Sequence, residues 1–251
     1  MRVAILVLVA LAGVLSANGL TSFAAAEQQS NIAGGGLASG ATRRVTGKVS
    51  VAGSYQRPKP LPVFKNRSFC GATVPNETLL VGADGGLRNA VVMLHPLDSK
   101  VSTQPGALIL DNKHCAFTPH VQVVTVGSEL LLKNSDSILH AVHARLGKET
   151  LFNVGLPKWR QVAKRLEQAG VIKIECDVLH TWMSTAIVVV ATPFYSVTDQ
   201  NGLFALDEIP AGSYQVEIWH ERLGSKTARI SVIANTDNSI EIAYGLNEKR
   251  R

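Results

Sequence analysis

The chain has no apolar run long enough to cross a bilayer. Its longest, Val3 to Leu15, holds about 13 continuous apolar residues, and a spanning helix needs roughly 20. Recurrent catalytic signatures are missing as well: there is no Gly-x-Ser-x-Gly elbow, no phosphate-cradling glycine loop and no His-Glu-x-x-His pair. These gaps point away from an enzyme. Charged residues make up only 18% of the chain and aromatics 6%. No basic stripe is interleaved with stacking aromatics, so a single-strand nucleic-acid groove is excluded. The net charge of +6 is spread widely and ends in the tail Lys249-Arg250-Arg251. Cysteine is scarce and odd in number, at three, so one thiol has no intramolecular partner.

What is present is ample apolar material, 46% of 251 residues, enough for one or two ordinary cores. Arg2, the apolar run and the small and polar residues up to Ala24-Ala25-Ala26 have the pattern of a secretory signal cut after Ala26. Export to the periplasm or the extracellular space is therefore expected, with no stable membrane span left after cleavage. No cysteine stands near the cut to carry a lipid. Residues 27–43, rich in Gly, Ala, Ser and Gln, read as a flexible linker.

From there the chain is strand-like. Val45 to Val51, Thr78 to Val81, Ala90 to Leu94, Ala107 to Leu110, Val121 to Val126, Glu129 to Lys133, Val171 to Cys176 and Ala186 to Val190 are short and β-branched, bounded by Gly, Pro, Asn or Asp. An all-β sandwich or barrel follows. Lys158 to Gln168 is the one stretch whose apolar residues fall at helical spacing, with an extended loop as the alternative.

The chemistry concentrates in Ile172-Lys173-Ile174-Glu175-Cys176-Asp177-Val178-Leu179-His180-Thr181-Trp182-Met183. Apolar and charged residues alternate up to Cys176, which places its thiol on the buried face of a strand end, and the loop beyond returns His180 and Met183 over it. A thiolate, an imidazole and a thioether need one more imidazole to make a type 1 copper site, two His and one Cys in a near-trigonal plane with a weak axial Met. The candidates are His140 and His143 in Ile138-Leu139-His140-Ala141-Val142-His143, after the turn Asn134-Ser135-Asp136-Ser137. Their odd spacing sends them to opposite faces of a strand, so one alone can face the metal.

This Asn-x-x-x-x-x-His-x-Val-His segment, followed about 35 residues on by a Cys-to-His-to-Met loop, resembles the cupredoxins, most of all the amicyanin and plastocyanin branch. The resemblance spans roughly 121–190. It implies a Greek-key sandwich over 44–193, a single copper ion held by His140, Cys176, His180 and Met183, and one-electron exchange with redox partner proteins. Two features depart from that branch: three residues separate Cys176 from His180 instead of two, and Ala141 stands where the family has an Asn tying the ligand loops together. A second resemblance lies in Thr198-Asp199-Gln200-Asn201-Gly202-Leu203-Phe204 and Pro210-Ala211-Gly212-Ser213-Tyr214. It is to the small β-sandwich modules of the carboxypeptidase regulatory-like family, and implies such a module over 194–246 before the basic tail 247–251. The two in series resemble a group of uncharacterised exported bacterial proteins.

With copper at Cys176, Cys70 and Cys115 are left to pair in a disulfide, as suits an oxidising compartment. The alternative is a second metal cluster of His114, Cys115 and His120. In cupredoxins the loop His is exposed and serves as electron exit, so Leu179 and Trp182 become candidates for an apolar docking surface. His220 reads as a surface residue and His95 as a loop residue. Asn66-Arg67-Ser68 and Asn76-Glu77-Thr78 match the glycosylation acceptor pattern. Against the electron carrier stands an exported scaffold, adhesion or copper-sequestering protein without redox traffic, which an appended β module would suit.

Overall fold

Short β-branched runs between turn residues become strands almost throughout the computed structural model, which describes residues 43–246 apart from 235 and 237. The expected signal, the linker up to residue 42 and the basic tail lie outside the described residues, and Arg43 already opens a strand. In chain order the elements are β1 (Arg43–Ala52), β2 (Leu61–Pro62), a one-turn helix α1 (Arg67–Cys70), β3 (Thr73–Val74), β4 (Val91–Pro96), β5 (Ala107–Lys113), β6 (Ala116–Thr118), β7 (Val121–Thr125), β8 (Ser128–Asn134), β9 (His140–Leu146), β10 (Glu149–Leu156), β11 (Gln161–Leu166), β12 (Gly170–Glu175), β13 (Ser184–Val190), β14 (Tyr195–Val197), β15 (Leu203–Ile209), β16 (Gly212–His220), β17 (Gly224–Val232) and β18 (Asn238–Gly245).

Two pairs of sheets form two sandwiches. The first stacks the order β10-β9-β12-β13-β7 on β11-β8-β5-β6, around a core that includes Leu110, Phe117, Leu130, Leu132, Val142, Leu156, Ile172, Ile174 and Ile187. The second stacks β15-β1-β18 on β14-β4-β16-β17, around Val45, Val49, Leu87, Val92, Leu94, Phe204, Leu206, Tyr214, Val216, Ile218 and Tyr244. Alternation explains which residue goes where. In β4, Val92 and Leu94 enter the second core while Val91 and Met93 point the other way, onto Val121, Val188 and Val190 of β7 and β13. In β13, Ile187 and Val189 line the first core. Both strands are thus buried on both faces, which is why they read as unbroken apolar runs.

Four expectations are corrected here. The partition at 193/194 does not follow the sheets: β1 pairs with β15 and β18, and β4 with β14 and β16, so the second sandwich takes strands from both ends of the chain. The stretch 158–168 is not a helix. Its residues 161–166 pair antiparallel with β8 and bury on alternate positions, because the otherwise unpaired edge of β8 takes up one side of their backbone and alternation turns Val162 and Leu166 onto the core. Thr78 to Val81 contributes only the bridge Val81–Leu87. His95, expected in a loop, lies in β4 opposite Gln215, with Nε2 3.5 Å from Glu217 Oε2.

Candidate metal centre

The donor groups gather at one end of the first sandwich because two strands that carry them are neighbours. β12 pairs with β9, with Glu175 opposite His143. His140 opens β9 facing the core side with Val142 and Ala144, and Cys176 follows β12 on the face of Ile172 and Ile174. The turn after Cys176 then folds back: Cys176 N–H donates to Met183 C=O at 3.4 Å and Met183 N–H to His180 C=O at 2.9 Å. Leu179 sits at φ 67° inside it, in the left-handed region.

His140 Nδ1, His180 Nδ1 and Cys176 Sγ meet. The two nitrogens are 3.1 Å apart, Sγ lies 3.7 Å from His180 Nδ1 and 4.0 Å from His140 Nδ1, and all three side chains are buried. A metal bonded in one plane to two imidazoles at about 2.0 Å and to sulfur at about 2.3 Å needs donors roughly 3.5–3.8 Å apart. The donor set fits, and its mix of soft sulfur and imidazole suits copper. Cys176 Sγ accepts the Ala141 backbone N–H at 3.3 Å. Met183 is buried in the same core.

Electrostatics set the two imidazoles apart. Burial opposes charge on His140, but the carboxylate of Asp136 and the sulfur of Cys176 outweigh it and raise its proton affinity above the ordinary 6.5. Burial would also push Asp136 up. The His140 contact and the N–H groups of Cys115 and His114 prevail and hold its carboxyl below the usual range. His180 is lowered to about 4, first by burial and then by the charges of His140 and Lys65, so it is neutral at physiological pH with a lone pair to give.

His143 lies on the other face of β9, its Nδ1 2.6 Å from Asp177 Oδ2 and its Nε2 2.9 Å from Thr150 Oγ1. A disulfide joins Cys70 to Cys115, which removes Cys115 from any second metal cluster. His120 instead faces Glu221, Nε2 to Oε1 2.5 Å. Three site expectations are corrected. Trp182 is only 6% exposed and its Nε1 donates to Cys115 C=O at 3.0 Å, so it packs inside while Leu179, 65% exposed, remains on the surface. His180 is itself 1% exposed, because the segment around α1 covers it. His220, expected on the surface, is buried at the end of β16, its Nδ1 accepting Arg222 N–H at 3.2 Å.

Residues to which the sequence reading gave no part in holding the centre complete the surroundings. Asp136 Oδ2 takes the outer nitrogen of His140 at 2.9 Å, and Asn134 Nδ2 donates to the carbonyls of Ile138 and Leu156 at 2.9 and 2.7 Å. Asn134 thereby ties the turn before His140 to the end of β10. The signal was in plain view: a carboxylate four residues before a candidate ligand, in a turn read only as a turn. Asn66, whose Oδ1 meets His180 Nε2 at 2.9 Å, carries no such signal, being 114 residues away.

No family model and no curated protein matches the chain. Among solved structures, a copper-containing nitrite reductase from Thermus scotoductus SA-01 is 17% identical at a TM-score of 0.32, over 39% of this chain and 26% of that one. A purple cupredoxin from Nitrosopumilus maritimus is 22% identical at 0.30, over 34% and 99%. An oxidized point mutant of amicyanin is 21% identical at 0.31, over 39% and 98%. Each likeness concerns part of this chain and leaves its chemistry to be read from its own atoms.

Proposed function

We propose that the protein is an exported type 1 copper protein that carries single electrons rather than catalysing a reaction. The observation behind this reading is the convergence of His140 Nδ1, His180 Nδ1 and Cys176 Sγ in a buried pocket. Copper bound there would supply a Cu(I)/Cu(II) couple. Cys176 would give the thiolate, His140 and His180 the imidazole donors, and Met183 a weaker thioether donor. Ala141 N–H steadies the sulfur by donating to it. The packed strand ends keep water out, so the donors need little rearrangement when the charge changes. Redox partner proteins would dock near Leu179 and Leu139, exposed neighbours of the two imidazole residues.

The burial of both imidazoles, 0% and 1% exposed, favours a second reading, copper sequestration without redox traffic. One experiment separates them: titration of the purified protein with Cu(II), followed by visible absorption and paramagnetic resonance, beside Cys176→Ser. An intense thiolate-to-copper band at one equivalent, lost in the variant and bleached reversibly by a mild reductant, supports the carrier. A band that cannot be cycled supports sequestration; no band at all overturns the carrier, and failure to retain copper in either oxidation state overturns both.

A further inference from the structure

The imidazoles present Nδ1 to the centre, and each ends on a polar side chain at its other nitrogen. With Nδ1 reserved for metal, Nε2 carries the proton. His140 then donates to Asp136 Oδ2 and His180 to Asn66 Oδ1, both at 2.9 Å. The two acceptors belong to opposite ends of one covalent link. Asp136 accepts the backbone N–H of Cys115 at 2.8 Å and of His114 at 2.7 Å. Asn66 is the N-cap of α1 at φ 57°, and its C=O accepts the Cys70 N–H at 2.9 Å. An Asn at that position ordinarily turns its side chain onto the helix's own N–H groups. Here the side chain makes no cap bond and faces His180 instead. Cys70 and Cys115 are disulfide-bonded.

We propose that Asn66 and Asp136 are the positioning residues of the two imidazoles and that the Cys70–Cys115 disulfide is their common brace. This rests on the copper reading for what is positioned. Partners outside a ligand shell fix ring orientation in this way. The brace bears unequally on its two ends. Asp136 has support of its own, its N–H donating to Asn134 Oδ1 at 3.0 Å, whereas Asn66 lies in an exposed turn held nearby by Lys65 Nζ on Val178 C=O at 3.4 Å and Val63 N–H on Ala72 C=O at 3.0 Å. Opening the disulfide therefore frees the outer edge of His180 and leaves His140 in place.

The test reads the metal-free protein. Carbethoxylation by diethyl pyrocarbonate, followed histidine by histidine by peptide mass spectrometry, reports access to Nε2. In the wild type His140 and His180, both buried, are expected to react slowly. In Asn66→Ala and in the paired Cys70→Ser, Cys115→Ser variant, His180 is expected to react several-fold to roughly tenfold faster, the range set by one net hydrogen bond, with His140 unchanged. Asn66→Asp, which keeps the acceptor, restores the slow rate, and Asp136→Ala speeds His140 alone. Unchanged His180 reactivity in Asn66→Ala overturns the proposal whether or not the paired serine variant folds. Equal release of both histidines on loss of the disulfide overturns the unequal brace. In Cu(II)-loaded protein the same Asn66→Ala change is expected to alter the copper hyperfine splitting. If the wild type shows no copper band, the copper reading fails while the reactivity pattern still decides the brace.

Discussion

His140 and His143 share β9 at an odd offset, and the pleat sends one to Cys176 and the other to Asp177 and Thr150. His143→Ala should thus leave copper stoichiometry and the thiolate band unaltered while costing about 1–2 kcal/mol in urea unfolding; loss of the band would make His143 part of the centre. His220 gives a second prediction at this scale. It is held down to about 4, first by burial and then by the charges of His120 and Arg222, against 6.5 for a free imidazole. The unfolded chain takes up a proton near 6.5 that the folded chain refuses, so the stability from this group is complete above 6.5 and lost as pH falls toward 4. The loss amounts to about 3 kcal/mol. Urea midpoints measured across that window should fall more steeply for the wild type than for His220→Gln, and parallel lines would refute the assignment.

At the scale of elements, backbone crowding in β1 separates glycines that are needed from those that are not. A Cβ on Gly47 would come within 2.6 Å of the Phe204 ring and closer still to the carbonyl oxygen of Ile240, on the strand paired in parallel. Gly47→Ala should cost about 3 kcal/mol, the upper part of the usual overpacking range. Gly155 in β10 has nothing within 4 Å of such a Cβ, so Gly155→Ala should stay within about 0.5 kcal/mol. Thermal unfolding of the pair checks the contrast. In β11 the backbone decides as well. Trp159, Val162 and Leu166 match a helical repeat, yet Val162 and Leu166 lie an even number apart and suit a strand equally well. The free edge of β8, paired from Gln161 to Leu166, decides between them.

Over the whole molecule, the described residues form one compact unit in which Val91 and Met93 of β4 rest on Val121, Val188 and Val190. A chain ended after Pro193 would leave β1 and β4 without β14–β18 and strip the second core of Phe204, Leu206, Tyr214, Val216 and Ile218. It is expected to be insoluble or to unfold without a cooperative transition. A soluble fragment of that length showing the thiolate band would instead make the first sandwich self-sufficient.

The sequence by itself determined the strand content, the inward face of β12 and the gathering of Cys176, His180 and Met183 in one loop, because alternation and turn chemistry act over a few residues. It also narrowed the second imidazole to one of two histidines, since faces of a strand follow from parity. Tertiary structure alone decided how those strands were shared between sandwiches, that Trp182 and His220 turned inward, and that Asn66 and Asp136 closed the outer edges of the imidazoles. Such contacts join residues up to 114 positions apart, and no local pattern records a pairing made only when separate sheets and a disulfide bring them together.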